Sequence, residues 1–346
     1  MDFHKLTTRF RQFGGMRLVL QYAKLGALAA IVKGIVSCVV KRHSYQFIYP
    51  EVLKRIEPML IAKYGSRVLC KQSEQARAQE FKQSNGTRVL KHKHPKVIWW
   101  CWLQGLEKAP NIVKACHRSL QKNLKDYEIK IIDSENWKQY VQLPDYIVER
   151  WNKKQIPPAL FSDLLRLQLL IKHGGTWIDS TVLCTGFNGS RVQEFKKYLD
   201  ADLFLFQYTP EGTTKDISIS NWFISAHSNN VVLMAVRDML FAYWKDYNCT
   251  LDYYIFHLFF SMVAKEYPEE IAAMPYGYSM RSLTLLHHWG ETFNQKKWDK
   301  LTSKVAFHKL AFRISDNVKN DKSNFYHFIL NTNLTDDPNN SSHNHT

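Results

Sequence analysis

SDLLRLQLLIKHGGTWIDST, residues Ser162–Thr181, runs from an apolar helix through two glycines into a short strand that ends on a carboxylate. Pro157 and Pro158 stand where a helix over 159–172 starts, since proline is tolerated in a first turn that lacks hydrogen-bonded N–H groups. Gly174 and Gly175 stop that helix, and a strand over 176–179 follows at once. In an open α/β sheet, ligands bind beyond the carboxyl ends of strands, so Asp179 marks where a site belongs.

The pattern around this stretch agrees with it. From Lys96 onward, short apolar runs over 97–103, 127–133, 203–208, 219–226 and 304–312 alternate with helix-length segments near 110–124, 230–247 and 251–267. That alternation predicts an α/β domain with mainly parallel strands over 96–330.

The first third of the chain is different. Of the net charge of +16, residues 1–100 hold nearly all, with 19 Lys and Arg against 5 Asp and Glu. Residues 1–95 read as a basic, mainly helical accessory region, and residues 331–346, rich in Asn, Ser, His and Asp, as a disordered tail. A basic region is attracted to nucleic acid and to an anionic membrane alike. No finger spacing or aromatic RNA-binding signature accompanies it, so no nucleic acid is expected, and a membrane surface is the preferred partner. The apolar stretch 18–40 carries Lys33 deep inside, at an insertion cost of about 2.5–3.5 kcal/mol, which favours an interfacial or core-packed helix over a spanning one. Six cysteines without CxxC spacing read as reduced thiols, and the expected location is cytoplasmic, peripheral on the inner face of the membrane.

Within the opening stretch, Asp163 and Arg166 are three residues apart and therefore neighbours on one helix face. Alone, such a pair reads as a surface ion pair of little worth. Asp179, followed by the hydroxyls of Ser180 and Thr181, changes that reading, because hard Mg²⁺ or Mn²⁺ ions take oxygen ligands and share them with phosphates.

These residues resemble the family 32 glycosyltransferases and the capsular polysaccharide synthesis proteins, in which a Ser-Asp-x-x-Arg helix leads through Gly-Gly into a DXD-type motif. The similarity extends to IWWCWLQG at 98–105, to the AP and HRS elements after it, and to HKL at 308–310. It implies a GT-A-type, Rossmann-like domain that binds a nucleotide diphosphate sugar, and transfer of the sugar, with retention, to a hydroxyl of a surface, capsular or lipid-linked glycan. On that likeness Asp163 and Arg166 contact the donor sugar, Asp179 the ribose and a divalent cation, and Trp102 and Gln104 the nucleotide. Thr181 and His308 join Asp179 as candidate metal ligands, Lys309 neutralises the departing diphosphate, and Asn221, Trp222, Asp252 and His257 match positions near the substrates. The motif departs from the family at Thr181, which stands where the second carboxylate usually sits. That departure is what favours the alternative, a catalytically inactive glycosyltransferase-like scaffold.

Overall fold

The computed structural model describes residues 11, 14–27, 29, 32, 54–65, 94–187, 195, 197–212 and 217–335. Its centre is a five-stranded sheet of β1 (Val97–Cys101), β2 (Glu128–Ile132), β3 (Gly175–Ile178), β5 (Leu203–Gln207) and β6 (Ile219–Ala226), in the order β2-β1-β3-β6-β5. β1 runs parallel to β2 and β3, while β6 is antiparallel to both of its neighbours. Four strands therefore share one direction and β6 reverses it, which makes this a mixed α/β fold with a mainly parallel sheet. β4 (Val182–Cys184) and β7 (Phe307–Lys309) pair antiparallel as a separate two-stranded clip.

Side-chain alternation along the strands builds two cores. Trp99, Trp177, Leu205 and Ile224 face one side, in a core shared with α3 (Asp145–Asn152), α4 (Pro158–His173), α5 (Val231–Asp246) and α6 (Ile255–Glu266). Trp100, Ile178, Phe204 and Phe223 face the other, in a core shared with α2 (Asn111–Asn123), α7 (Ser279–His288) and α8 (Phe325–Leu334). Both faces are thus covered, as a mostly parallel sheet requires.

The described part of the basic first third packs on the first of these cores. In α1 (Met16–Lys24), Leu18 and Tyr22 are buried, and the Tyr22 hydroxyl donates to the Leu251 carbonyl at 2.7 Å. Helical residues 54–65 add Ile56, Leu60 and Tyr64 to the same cluster. The helix expected over 18–40 starts earlier, at Met16, and α1 closes at Lys24; beyond it only 25–27, 29 and 32 are described. Among the described residues no helix is long and apolar enough to cross a membrane.

Several boundaries differ from the sequence reading. The strand expected over 304–312 is paired only at Phe307–Lys309, because its neighbour β4 is itself three residues long. The first strand stops at Cys101, which leaves Trp102 on the turn beyond it. The polar tail expected from 331 begins as the last turns of α8: Leu330 and Leu334 pack against the second core, and Arg118 donates to the Leu334 carbonyl at 3.2 Å. Residues 336–346 lie outside the described ones.

Candidate active site

The helix-to-strand turn is fixed by its glycines. Gly174 ends α4 at φ 69° and its N–H reaches the Leu170 carbonyl, while Gly175 stands at φ 100°. A Cβ on Gly175 would come 2.7 Å from the Val97 carbonyl oxygen, so no other residue fits without moving β1. This close approach sets β3 directly beside β1 and presents Asp179 just past the strand end, where its N–H donates to the Trp222 carbonyl at 2.8 Å.

Arg166 is the hub. It is 3% exposed and reaches out from α4 to both acids, with Nη1 at 3.1 Å from Asp163 Oδ1 and Nη2 at 3.2 Å from Asp179 Oδ1. Nη1 also donates to the Asn221 carbonyl at 2.6 Å. The Trp177 ring lies under the guanidinium, 4.8 Å from its carbon, and the Trp177 indole N–H donates to Asp179 Oδ1 at 2.9 Å. Trp177 and Asp179 are two residues apart along an extended chain and so share a face. That spacing was the signal for Trp177, a site residue the sequence reading passed over. Asn221 closes the ring by donating from Nδ2 to Asp163 Oδ1 at 3.0 Å.

The two acids differ electrostatically. Burial raises Asp163 to about 7 against the pull of Arg166, with Asp179 adding to the rise and Asn221 opposing it. Burial also works against ionisation of Asp179, but Lys309, Arg166 and Trp177 together outweigh it and hold that carboxyl below its ordinary value. Asp179 is therefore the fixed negative charge of the site, and Asp163 titrates near neutrality. Cys101, beside the cluster, is pushed up to about 12 by burial and stays a thiol.

The β4·β7 clip brings in the remaining residues. Its register sets Lys309 opposite Val182, and the Leu310 N–H donates to the Thr181 carbonyl. The Lys309 ammonium then lies 3.1 Å from Asp179 Oδ2 and donates to Thr181 Oγ1 at 2.5 Å. His308, one residue earlier on the same strand, turns to the opposite side, where Nε2 lies 3.2 Å from Thr185 Oγ1. It is buried and does not join Asp179 and Thr181.

This arrangement bears directly on a divalent cation. Asp179 Oδ1 is engaged by Arg166 and Trp177, Oδ2 by Lys309, and the Thr181 hydroxyl by the same ammonium. Among the described residues no three His, Cys, Asp or Glu side chains are grouped to hold a metal ion. The donor set as arranged does not fit a divalent cation, which would have to displace Lys309.

Trp102 is half-buried, edge-on to Phe312 at 5.3 Å, and Gln104 is exposed on the turn after it. Trp222 stacks on Phe206 at 4.5 Å within the second core. Asp252 accepts from the Tyr254 N–H at 2.7 Å and so shapes the turn before α6. His257, on α6, is pushed down to about 4 by burial and by Arg166, and is neutral at physiological pH. Tyr253 is 39% exposed, and burial together with Asp163 raises its phenol.

The family described as capsular polysaccharide synthesis protein matches residues 54–329. Among solved structures, the chain is similar to the PaToxG glycosyltransferase, at 16% identity over 67% of this chain and 95% of that one, with a TM-score of 0.35. No curated protein matches the chain.

Proposed function

Because the chain belongs to the capsular polysaccharide synthesis protein family, we propose that it is a glycosyltransferase of the GT-A type that moves a sugar from a nucleoside diphosphate donor to a hydroxyl of a capsular or lipid-linked glycan. The observation that carries this reading is the cluster of buried Asp163 and Arg166 with half-buried Asp179 at the carboxyl end of β3. Charged groups stripped of water cost stability, so a cluster of this kind is explained by a ligand rather than by fastening.

In this reading Asp163 and the Arg166 guanidinium hold donor-sugar hydroxyls, with Trp102 and Gln104 nearest the base. Positioning of this sort lowers the barrier by fixing the reactants in advance. The acceptor oxygen forms a bond to the anomeric carbon as the bond from that carbon to the β-phosphate oxygen breaks. The bonding electrons leave on the diphosphate, and the acceptor proton passes to a departing phosphate oxygen on the same face. Retention then needs no enzyme-bound sugar.

The test is release of nucleoside diphosphate from a panel of nucleotide sugars with capsular oligosaccharide acceptors. Turnover that Asp163→Asn abolishes without loss of the folded state supports the enzyme. Tight donor binding with no turnover on any acceptor selects the scaffold reading instead.

We also place the protein on an anionic membrane surface. α1 exposes Met16 and Leu20, 65% and 57% accessible, beside the exposed Arg17 and Lys24. Apolar side chains flanked by cations suit an acyl–headgroup boundary. Replacing Met16 and Leu20 by serine should release the protein from phosphatidylserine vesicles in a co-sedimentation assay, and undiminished binding would reject the assignment.

A further inference from the structure

The two groups that the sequence nominates for a metal, Asp179 and Thr181, both hold the ammonium of Lys309 instead. That ammonium is not a wandering surface charge. Its backbone is pinned on both sides, by the Val182↔Lys309 register and by the Leu310 N–H on the Thr181 carbonyl, and it is bonded at two points. A lysine ammonium has three N–H donors, and two are used here, on Thr181 and Asp179. The side chain is 23% exposed, so the third donor has room to meet a ligand at the open end of β3.

Thr181 acquires a reason in this geometry. A second carboxylate there would add a negative charge that one lysine cannot balance, whereas a hydroxyl accepts the hydrogen bond and adds none. Mg²⁺ and Mn²⁺ are usually held by carboxylates together with phosphate oxygens and water. Among the described residues one carboxylate, that of Asp179, faces this point, and both of its oxygens are already engaged.

Taking the proposed transfer reaction as given, we propose that Lys309, held by Asp179 and Thr181, takes the place of the divalent cation, so that the enzyme binds and releases its nucleoside diphosphate without a metal. Lys309 touches the β-phosphate oxygen that departs from the anomeric carbon. It stabilises the growing charge by donating a hydrogen bond and keeps its own proton, while the electron pair of the broken bond stays on the phosphate. Asp179 and Thr181 are positioning residues that act through the ammonium.

The experiment is calorimetric titration of the full chain with the diphosphates of adenosine, guanosine, cytidine, uridine and thymidine, in EDTA and again in Mn²⁺. The expected result is one or more ligands whose Kd agrees within about twofold between the two conditions. Lys309→Met should weaken that ligand about 10- to 100-fold, the worth of a charge-assisted hydrogen bond, and Lys309→Arg should restore most of the loss. Should Lys309→Met fail to fold, the wild-type comparison of EDTA with Mn²⁺ still decides. A parallel readout is the paramagnetic resonance of Mn²⁺ titrated into the protein alone, where the free-ion signal is expected to be unchanged. Diphosphate binding that appears only with Mn²⁺, or stoichiometric Mn²⁺ uptake lost in Asp179→Asn, overturns the metal-free assignment and leaves the transferase reading standing. Failure of every diphosphate to bind in both conditions overturns the two together.

Discussion

Two carboxylates in this molecule meet a lysine at nearly the same separation. Asp246, in the last turn of α5, lies 2.8 Å from Lys63, and Asp179, past the end of β3, lies 3.1 Å from Lys309. The first pair stands in water, 39–45% exposed, and with the Tyr64 hydroxyl it ties helical residues 54–65 to α5. The second is half-buried, 23–24% exposed, and shares its carboxylate with Arg166, whose side chain is 4% exposed. A solvated pair contributes about 0–1 kcal/mol, because water serves both ions almost as well. The Arg166–Asp163 pair behind Asp179 is 4–9% exposed and has lost that water, and the charges joined to it depend on one another. Distance alone therefore does not mark a working site; burial does, together with the number of donors competing for one carboxylate.

The contrast is open to attack by mutation. Arg166→Met would leave Asp163 in the interior without its cation and should lower stability by about 3–5 kcal/mol, read from denaturant unfolding. A loss under 1 kcal/mol would place the cluster in the same class as Lys63–Asp246.

Asp163→Asn sharpens the comparison through pH. The folded value of about 7 lies above the ordinary carboxyl value of 3.8, so the folded state binds more protons between them and stability falls as pH rises through that window. The variant lacks this component. Its advantage over wild type should grow by roughly 2 kcal/mol from pH 5 to 7 and then level off, as thermal unfolding will show. A pH-independent difference would mean that Asp163 ionises normally. Lys63→Met is the smallest change, expected to cost about 0.2–1 kcal/mol and to fade in high salt. A larger, salt-insensitive loss would erase the distinction between the two regions.

Much of the site was readable because it is local. Asp163 and Arg166 are one helical turn apart, and the Gly-Gly exit carries the chain straight to Asp179, so sequence spacing implies spatial proximity. The glycines announced themselves for a steric reason that the Val97 carbonyl supplies. Asn221 was named only from family likeness, since its clasp on Asp163 and Arg166 depends on β6 running against the other strands. Nothing in a buried eight-residue strand tells its direction. β4 escaped notice because three residues are too few to show alternation, and with it went the pairing that turns Lys309 toward Thr181 and His308 away. Apolar residues around 304–312 suggested a long strand, but burial there comes from packing while hydrogen bonding to the neighbouring strand extends only from Ala306 to Leu310.

The β4·β7 clip joins Thr181 to a lysine 128 residues later in the chain. During synthesis at about 5–20 residues per second, the ribosome needs roughly 6–26 s after adding Thr181 before Lys309 exists at all. A nascent chain that already contains Asp163, Arg166 and Asp179 therefore lacks the ammonium that the clip delivers. Truncated products ending before 309 lack the complete charge set, which confines the proposed chemistry to chains translated nearly to their end.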